Sequence, residues 1–256
     1  MRAWLTGVGA MTLANAVVFS LAFELWSDGI LQFRGVRPEF EIVGLPAYAF
    51  GAAVAVGTGG WRGLIALVVL ASLWMVDVPF IPGADRDFFL RQLWAYAGIV
   101  LGVLIAAVRP LRLSSTAFIG AGVYGIAIVP SVLLATVILQ QPLCQSDGAA
   151  RCITAVDAFS VLSSLVGGVA AGLVVGRKLS FGGMTLLALT LALPSAVVVA
   201  HQGWMWQYDG LLLLAVMARS IAGGLALVLA AVLARWTRDR GGVAGPMLRP
   251  HARTPA

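Results

Sequence analysis

Four ionisable residues stand in or beside long apolar stretches of this sequence: Asp77, Asp157, His201 and Arg219. Arg219 interrupts the run LLAVMARSIAGGLAL, residues 213–227. Ionisable groups in such stretches face a protein interior or water, and they pair with one another. We therefore expect Arg219 to pair with Asp77 or Asp157, close to His201, as the floor of a polar site. The site would bind a polar or anionic ligand or take part in proton coupling; a purely structural ion pair is the alternative.

A second interpretation leaves Arg219 unpaired. If the buried part of its segment is 215–234, Arg219 lies only about 6 Å below the outer surface, and its guanidinium can snorkel to water. If the buried part is 210–229, the depth is about 14 Å and a partner is needed. Segment length alone leaves both interpretations open.

Other residues are less specific indications of function. Cys144 and Cys152 bracket QSDGAAR and are the only cysteines, so we expect a disulfide in an oxidising compartment, with two unrelated thiols as the alternative. No histidine stands near them in the sequence, so a metal site is not expected there. Asp85 and Asp87 form a D-x-D that could hold a divalent ion for lipid-linked substrates, although an ordinary charged loop has the same pattern.

The sequence lacks the short motifs of the common catalytic classes. There is no H-E-x-x-H, G-x-S-x-G or P-loop in the chain. Lys178 is the only lysine, and the histidines are His201 and His251. We therefore expect no cofactor and no metal, and the balance is against an enzyme.

Composition places the chain in a membrane. It is 60% hydrophobic and 11% charged, whereas a soluble domain has about 25% charged residues. So few polar groups could not cover a water-facing surface, and the lipid bilayer is the expected partner. The net charge of +6 comes from short clusters between apolar stretches, which is typical of membrane loops and argues against a nucleic-acid partner.

Eight apolar stretches are long enough to cross about 30 Å of hydrocarbon, which takes about 20 residues. They cover 3–23, 42–60, 64–83, 92–108, 115–139, 153–176, 181–201 and 210–234. We expect an all-α, polytopic integral membrane bundle of about eight transmembrane helices over residues 1–236. Residues 237–256 are expected to form a basic cytoplasmic tail without fixed structure.

The distribution of positive charge predicts the orientation. With both termini cytoplasmic, eleven Lys or Arg residues fall on the inner side: Arg2, Arg62, Arg109, Arg112, Arg177, Lys178, Arg235, Arg238, Arg240, Arg249 and Arg253. Five fall outside: Arg34, Arg37, Arg86, Arg91 and Arg151. This asymmetry favours a multi-pass protein of the bacterial cytoplasmic (inner) membrane with both termini inside.

Two similar glycine-rich stretches suggest a duplication. GAAVAVG at 51–57 compares with GVAAGLVVG at 168–176, which predicts two four-span halves in the same orientation, unless the likeness is due to chance. Small residues at four-residue spacing, such as Gly98 with Gly102, are expected to bring helix backbones close together.

The function expected from these features is a small-molecule transporter or permease subunit with an outward-facing polar site. The alternative is a non-enzymatic sensor or assembly subunit that acts through a membrane or cytoplasmic protein partner. The span count and the glycine-rich second span are similar to the membrane sensor domains that precede bacterial diguanylate cyclases and histidine kinases, but a basic segment follows here instead of an output domain. An enzyme of lipid-linked substrates, using Asp85, Asp87 and His201, is the third hypothesis.

Overall fold

The structure is all-α over the residues it describes. The computed structural model describes residues 2–27, 40–76, 86–112, 116–139, 149–201 and 210–243, which form eight α-helices and no strand. The helices are α1 (Arg2–Ser27), α2 (Phe40–Gly59), α3 (Ile65–Val76), α4 (Arg86–Val108), α5 (Thr116–Leu139), α6 (Ala149–Val175), α7 (Phe181–His201) and α8 (Gly210–Val243). A 3₁₀ turn, Gly60–Leu64, joins α2 to α3. Each helix coincides with one of the predicted apolar stretches.

Three of these helices are long and apolar enough to cross a membrane, fewer than the eight predicted. Within the described residues the three segments are Arg2–Ala22, Ala158–Val175 and Ile221–Arg238. Three further apolar stretches are shorter: Leu93–Val108, Thr116–Pro130 and Phe181–Val197.

Small side chains fill the interior of the bundle, and large aliphatic ones cover its outside. Of the 27 buried hydrophobic residues among those described, 17 are alanine. Leu186, Leu189, Leu225 and Leu229 are all more than half exposed. A water-soluble protein keeps its largest aliphatic side chains inside, whereas helices that pack in lipid bring small residues together. This distribution is compatible with helices that pack in a membrane.

Helices α6 and α8 pack in parallel through glycine. A Cβ at Gly172 would overlap the carbonyl oxygen of Leu227 and lie 2.9 Å from the Cβ of Ala230. Gly168 makes the same contact one turn earlier, with the carbonyl of Gly223. In the first half, α2 and α4 are also parallel, and there the glycines lie on α4. Four-residue spacing of small residues therefore predicted these contacts correctly.

A reciprocal contact joins α1 to α5 in parallel. A Cβ at Gly9 would overlap the carbonyl of Phe118, and a Cβ at Gly122 would overlap the carbonyl of Leu5. The equivalent positions, Leu5 with Phe118 and Gly9 with Gly122, are each 113 residues apart. On each helix, a glycine contacts the carbonyl of the residue four positions before the glycine of the other helix. This reciprocal contact is the geometry of a local twofold axis parallel to the helices.

The two halves of the chain have the same order of helix neighbours. In the first half α1 packs on α2, α2 on α4 and α3 on α4; in the second, α5 packs on α6, α6 on α8 and α7 on α8. Helices α1 and α2 run antiparallel: Gly7 of α1 contacts Ala55 of α2, and Gly51 of α2 contacts Met11 of α1. The contacts between α5 and α6 run in opposite directions in the same way.

Substitution of a contact glycine tests this packing. We expect Gly172→Ala to lower the free energy of unfolding by about 1–3 kcal/mol, because the added methyl forces two backbones apart. Thermal unfolding of the purified protein in detergent measures the change. Gly182→Ala is the matched control, since a Cβ at Gly182 meets no atom within 4 Å. Equal stability of the two variants would contradict the described contact between α6 and α8.

Candidate functional site

Tyr124 of α5 and Ser164 of α6 both lie beside Gly223 of α8. The ring of Tyr124 lies beside Gly167, where a Cβ would be 3.3 Å from its Cδ2. At Gly223 a Cβ would be 2.7 Å from the Tyr124 hydroxyl and 3.3 Å from the carbonyl oxygen of Ser164. Only glycine at position 223 therefore leaves room for the phenol oxygen. Ser164 is fully buried, and within the described part of the chain its Oγ has no hydrogen-bond partner.

The unpartnered Oγ distinguishes Ser164 from other helical hydroxyls. Six Ser and Thr side chains donate to the carbonyl four residues earlier: Thr6, Thr12, Ser20, Ser72, Thr185 and Thr190. This back-bond is the usual way for a helix to satisfy such a group. A buried polar atom without a partner is costly, so Ser164 marks a place where a polar atom of a ligand or water would be stabilising.

The first half of the bundle contains a satisfied hydroxyl pair instead. Ser72 of α3 and Tyr96 of α4 share a hydrogen bond of 2.8 Å between their oxygens. Tyr48 of α2 and Tyr96 both pack against the apolar cluster around Leu67. The hydroxyls of Ser72 and Tyr96 complete each other's hydrogen bonding. Among the described residues, the buried hydroxyl without a hydrogen-bond partner therefore lies in the second half of the bundle.

Helical periodicity places position 219 on the inner face of α8. Gly223, Leu227 and Ala231 follow one another at four-residue intervals and are buried. Arg219 is four residues before Gly223, one turn earlier on the same face. Leu225, on the opposite face, is exposed. Position 219 thus belongs to the stripe that packs on α6.

Position 157 lies on the inner face of α6 by the same argument. Asp157, Ser164 and Ala171 are seven residues, or about two turns, apart, and Ser164 and Ala171 are fully buried. Because Gly168 contacts the carbonyl of Gly223, position 164 is level with position 219. Asp157 is seven residues before Ser164, or about 10 Å closer to the start of α6.

The described part of the chain does not include the side chains of the predicted site. Asp77 comes directly after the described end of α3, and His201 is the last residue of α7. The side chains of Asp157, His201 and Arg219, the Cys144–Cys152 pair, and those of Asp85 and Asp87 all lie outside the described residues. The pairing of Arg219 and the disulfide therefore stay predictions. Among the described residues, no group of three His, Cys, Asp or Glu could hold a metal.

Arginines of α8 bind the connection between α6 and α7. Arg235 donates from Nε to the carbonyl oxygen of Gly176, at 3.1 Å, and from Nη2 to that of Leu179. Arg238 donates from Nη1 to the carbonyl oxygen of Arg177, at 3.2 Å. Cations at a helix C-terminus satisfy free carbonyls and complement the helix dipole. The sequence predicted these arginines only as loop charges.

Comparison of the sequence with protein-family models, with curated proteins and with solved structures gave no match.

Removal of the Ser164 hydroxyl tests whether it is unpartnered. We expect Ser164→Ala to leave the free energy of unfolding unchanged or to raise it, because no hydrogen bond is lost. Ser72→Ala is the contrast, and should cost about 0.5–1.5 kcal/mol because Tyr96 loses its partner. Thermal unfolding in detergent measures both. A loss in Ser164→Ala as large as in Ser72→Ala would mean that the Ser164 hydroxyl has a partner.

Proposed function

We propose that the protein spans the bacterial inner membrane eight times, with both termini in the cytoplasm, and acts as a small-molecule transporter or permease subunit. The exposed aliphatic surface supports the membrane location. The helix directions support this topology, since α1 and α5 are parallel, α2 and α4 are parallel, α6 and α8 are parallel, and α1–α2 and α5–α6 are antiparallel. The basic residues Arg2, Arg109 and Arg235 then lie on the cytoplasmic side.

A duplication of four spans is part of this proposal. The shared order of neighbours and the reciprocal contact between Gly9 and Gly122 support two halves related by an axis along the membrane normal. Parallel repeats of this kind occur in transporters, whose substrate sites lie near the middle of the membrane between packed helices. The duplicated architecture therefore favours a transporter.

The unpartnered hydroxyl of Ser164 is the observation that carries the proposal. Ser164 is fully buried, and its carbonyl oxygen and the Tyr124 hydroxyl both lie beside position 223. It is on the same stripe of α6 as position 157. Position 219 is level with it on the facing stripe of α8. A substrate that entered from the outer side would meet Asp157 first, and then Arg219 at the level of the Ser164 hydroxyl. Polar groups in this arrangement fit a small polar or anionic solute.

The packing of the helices favours Asp157 over Asp77 as the partner of Arg219. Helix α3, which precedes Asp77, packs on α1, α2 and α4. Helix α8, which contains Arg219, packs on α6 and α7. Positions 157 and 219 are on facing stripes of one helix pair, whereas α3 belongs to the other half of the bundle.

Charge reversal tests this pairing. We expect Arg219→Asp to reduce the yield of folded protein in the membrane strongly, because two carboxylates then share an interior site and an unpaired buried charge costs about 3–5 kcal/mol. Adding Asp157→Arg should restore the yield, and adding Asp77→Arg should not. Size-exclusion chromatography of detergent extracts measures the yield. Rescue by Asp77→Arg alone, or by neither change, would contradict the Asp157 pair.

Uptake into vesicles tests transport. The full chain, reconstituted in liposomes, is offered radiolabelled acetate, succinate, glutamate, glycine, glucose and phosphate. We expect uptake of one of these classes, at least tenfold lower in Asp157→Asn and Arg219→Gln because each change removes a group from the site. Arg112→Gln, at the basic end, is the control and should keep normal uptake.

The sensor or assembly subunit is the other outcome of this experiment. Absence of uptake for every probe, together with a protein that co-purifies in a fixed ratio after mild solubilisation, would replace the transporter by that function. Uptake that survives in both site variants would move the transport site away from Asp157 and Arg219.

A further inference from the structure

The basic end of the second half carries cations on a fixed framework. Arg177, Lys178 and Arg238 are exposed. Arg238 is tied to the carbonyl of Arg177, and Arg235 binds the carbonyls on either side of the turn, at Gly176 and Leu179. The turn itself is closed by the amides of Lys178 and Leu179, which both donate to the carbonyl of Val175. These contacts fix the guanidinium of Arg238 and the backbone from which the Arg177 and Lys178 side chains extend.

The positive charge of this end exceeds its negative charge. Stretches 176–181 and 234–243 contain five basic residues: Arg177, Lys178, Arg235, Arg238 and Arg240. They contain one carboxylate, Asp239. Hydrogen bonds to carbonyl oxygens satisfy the arginine donors but do not neutralise their charge. An anion bound here would therefore gain from several cations at once.

Large apolar side chains stand directly beside these cations. Val174 and Phe181 flank the turn, and Leu233 and Trp236 flank Arg235; all four are exposed. A water-soluble anion would contact the cations and leave this apolar surface uncovered. A phospholipid with an anionic headgroup covers both, with its phosphate at the cations and its acyl chains along the aliphatic side chains.

We propose that Arg177, Lys178 and Arg238 form a binding site for the headgroup of an anionic phospholipid of the phosphatidylglycerol type. Trp236 and Phe181 lie at the level of the glycerol backbone, where aromatic rings are favoured. The bound lipid bridges the α6–α7 turn and the end of α8. The site rests on the membrane location given under the proposed function but is independent of transport.

Lipid binding by the full chain in detergent tests the site. Phosphatidylglycerol is added, and binding is followed by native mass spectrometry and by the midpoint of thermal unfolding. We expect phosphatidylglycerol to bind and stabilise, and phosphatidylcholine to do so much more weakly. In Arg177→Gln/Lys178→Gln the affinity should fall about 30-fold, since each basic residue near an anionic headgroup contributes about fivefold.

A matched double neutralisation separates a site from diffuse surface charge. Arg109→Gln/Arg112→Gln removes two exposed cations from the corresponding end of the first half and should retain tight binding. An equal loss of affinity for phosphatidylglycerol in the two double variants would overturn the proposed site. Equal stabilisation by glycerol 3-phosphate would also overturn it, because a headgroup alone would then suffice.

Folding of the variants is controlled within the same experiment. Lys178→Arg keeps the charge and should bind phosphatidylglycerol normally, and Arg238→Gln leaves the contacts of Arg235 in place and should bind more weakly. Because no uptake is measured, failure of transport does not affect the result. Loss of lipid binding does not affect the proposed substrate site either.

Discussion

Close backbone contact at glycine is the constraint on which this bundle depends. Lipid is as apolar as leucine, so helices in a membrane gain nothing from burying leucine against one another. Association then requires many short contacts, which large side chains would prevent. At Gly9, Gly122 and Gly172 the nearest atom of the neighbouring helix is a backbone carbonyl oxygen. The large side chains are accordingly on the outside, and the interior is mostly alanine.

The candidate site is a consequence of the same packing. A glycine at position 223 creates room between α8 and α6, and the Tyr124 hydroxyl occupies it. In the first half, Ser72 and Tyr96 use similar chemistry to satisfy each other. In the second half, Ser164 keeps an unused hydroxyl. The two halves thus share the order of their helices and differ at these polar positions.

The sequence predicted the helices much better than their contacts. Residues 181–201 were predicted and observed as α7, because apolar length and flanking charge suffice to define such a segment. Helix α8 runs past Trp236 to Val243, since Arg235 holds it against carbonyls 56 and 59 residues away. Glycine spacing predicted close approach but not the partner, and the contact glycines of the two halves lie on non-equivalent helices, α4 and α6. The site at Tyr124 and Ser164 depends on the alignment of α6 against α8, which the spacing does not give.

The depth of Arg219 below the membrane surface does not by itself decide whether the residue faces lipid or protein. Segment length gives the distance of a residue from the membrane surface, but the rotation of the helix decides whether it faces lipid or protein. The buried stripe at Gly223, Leu227 and Ala231 supplies that rotation and places position 219 toward α6. Snorkelling serves arginines that face lipid, so a place on the packed stripe of α8 favours the proposed ion pair over a snorkelling arginine. If Arg219 faces protein as we propose, the cost of its charge is met within the bundle, and Asp157 on the facing stripe of α6 is the proposed partner.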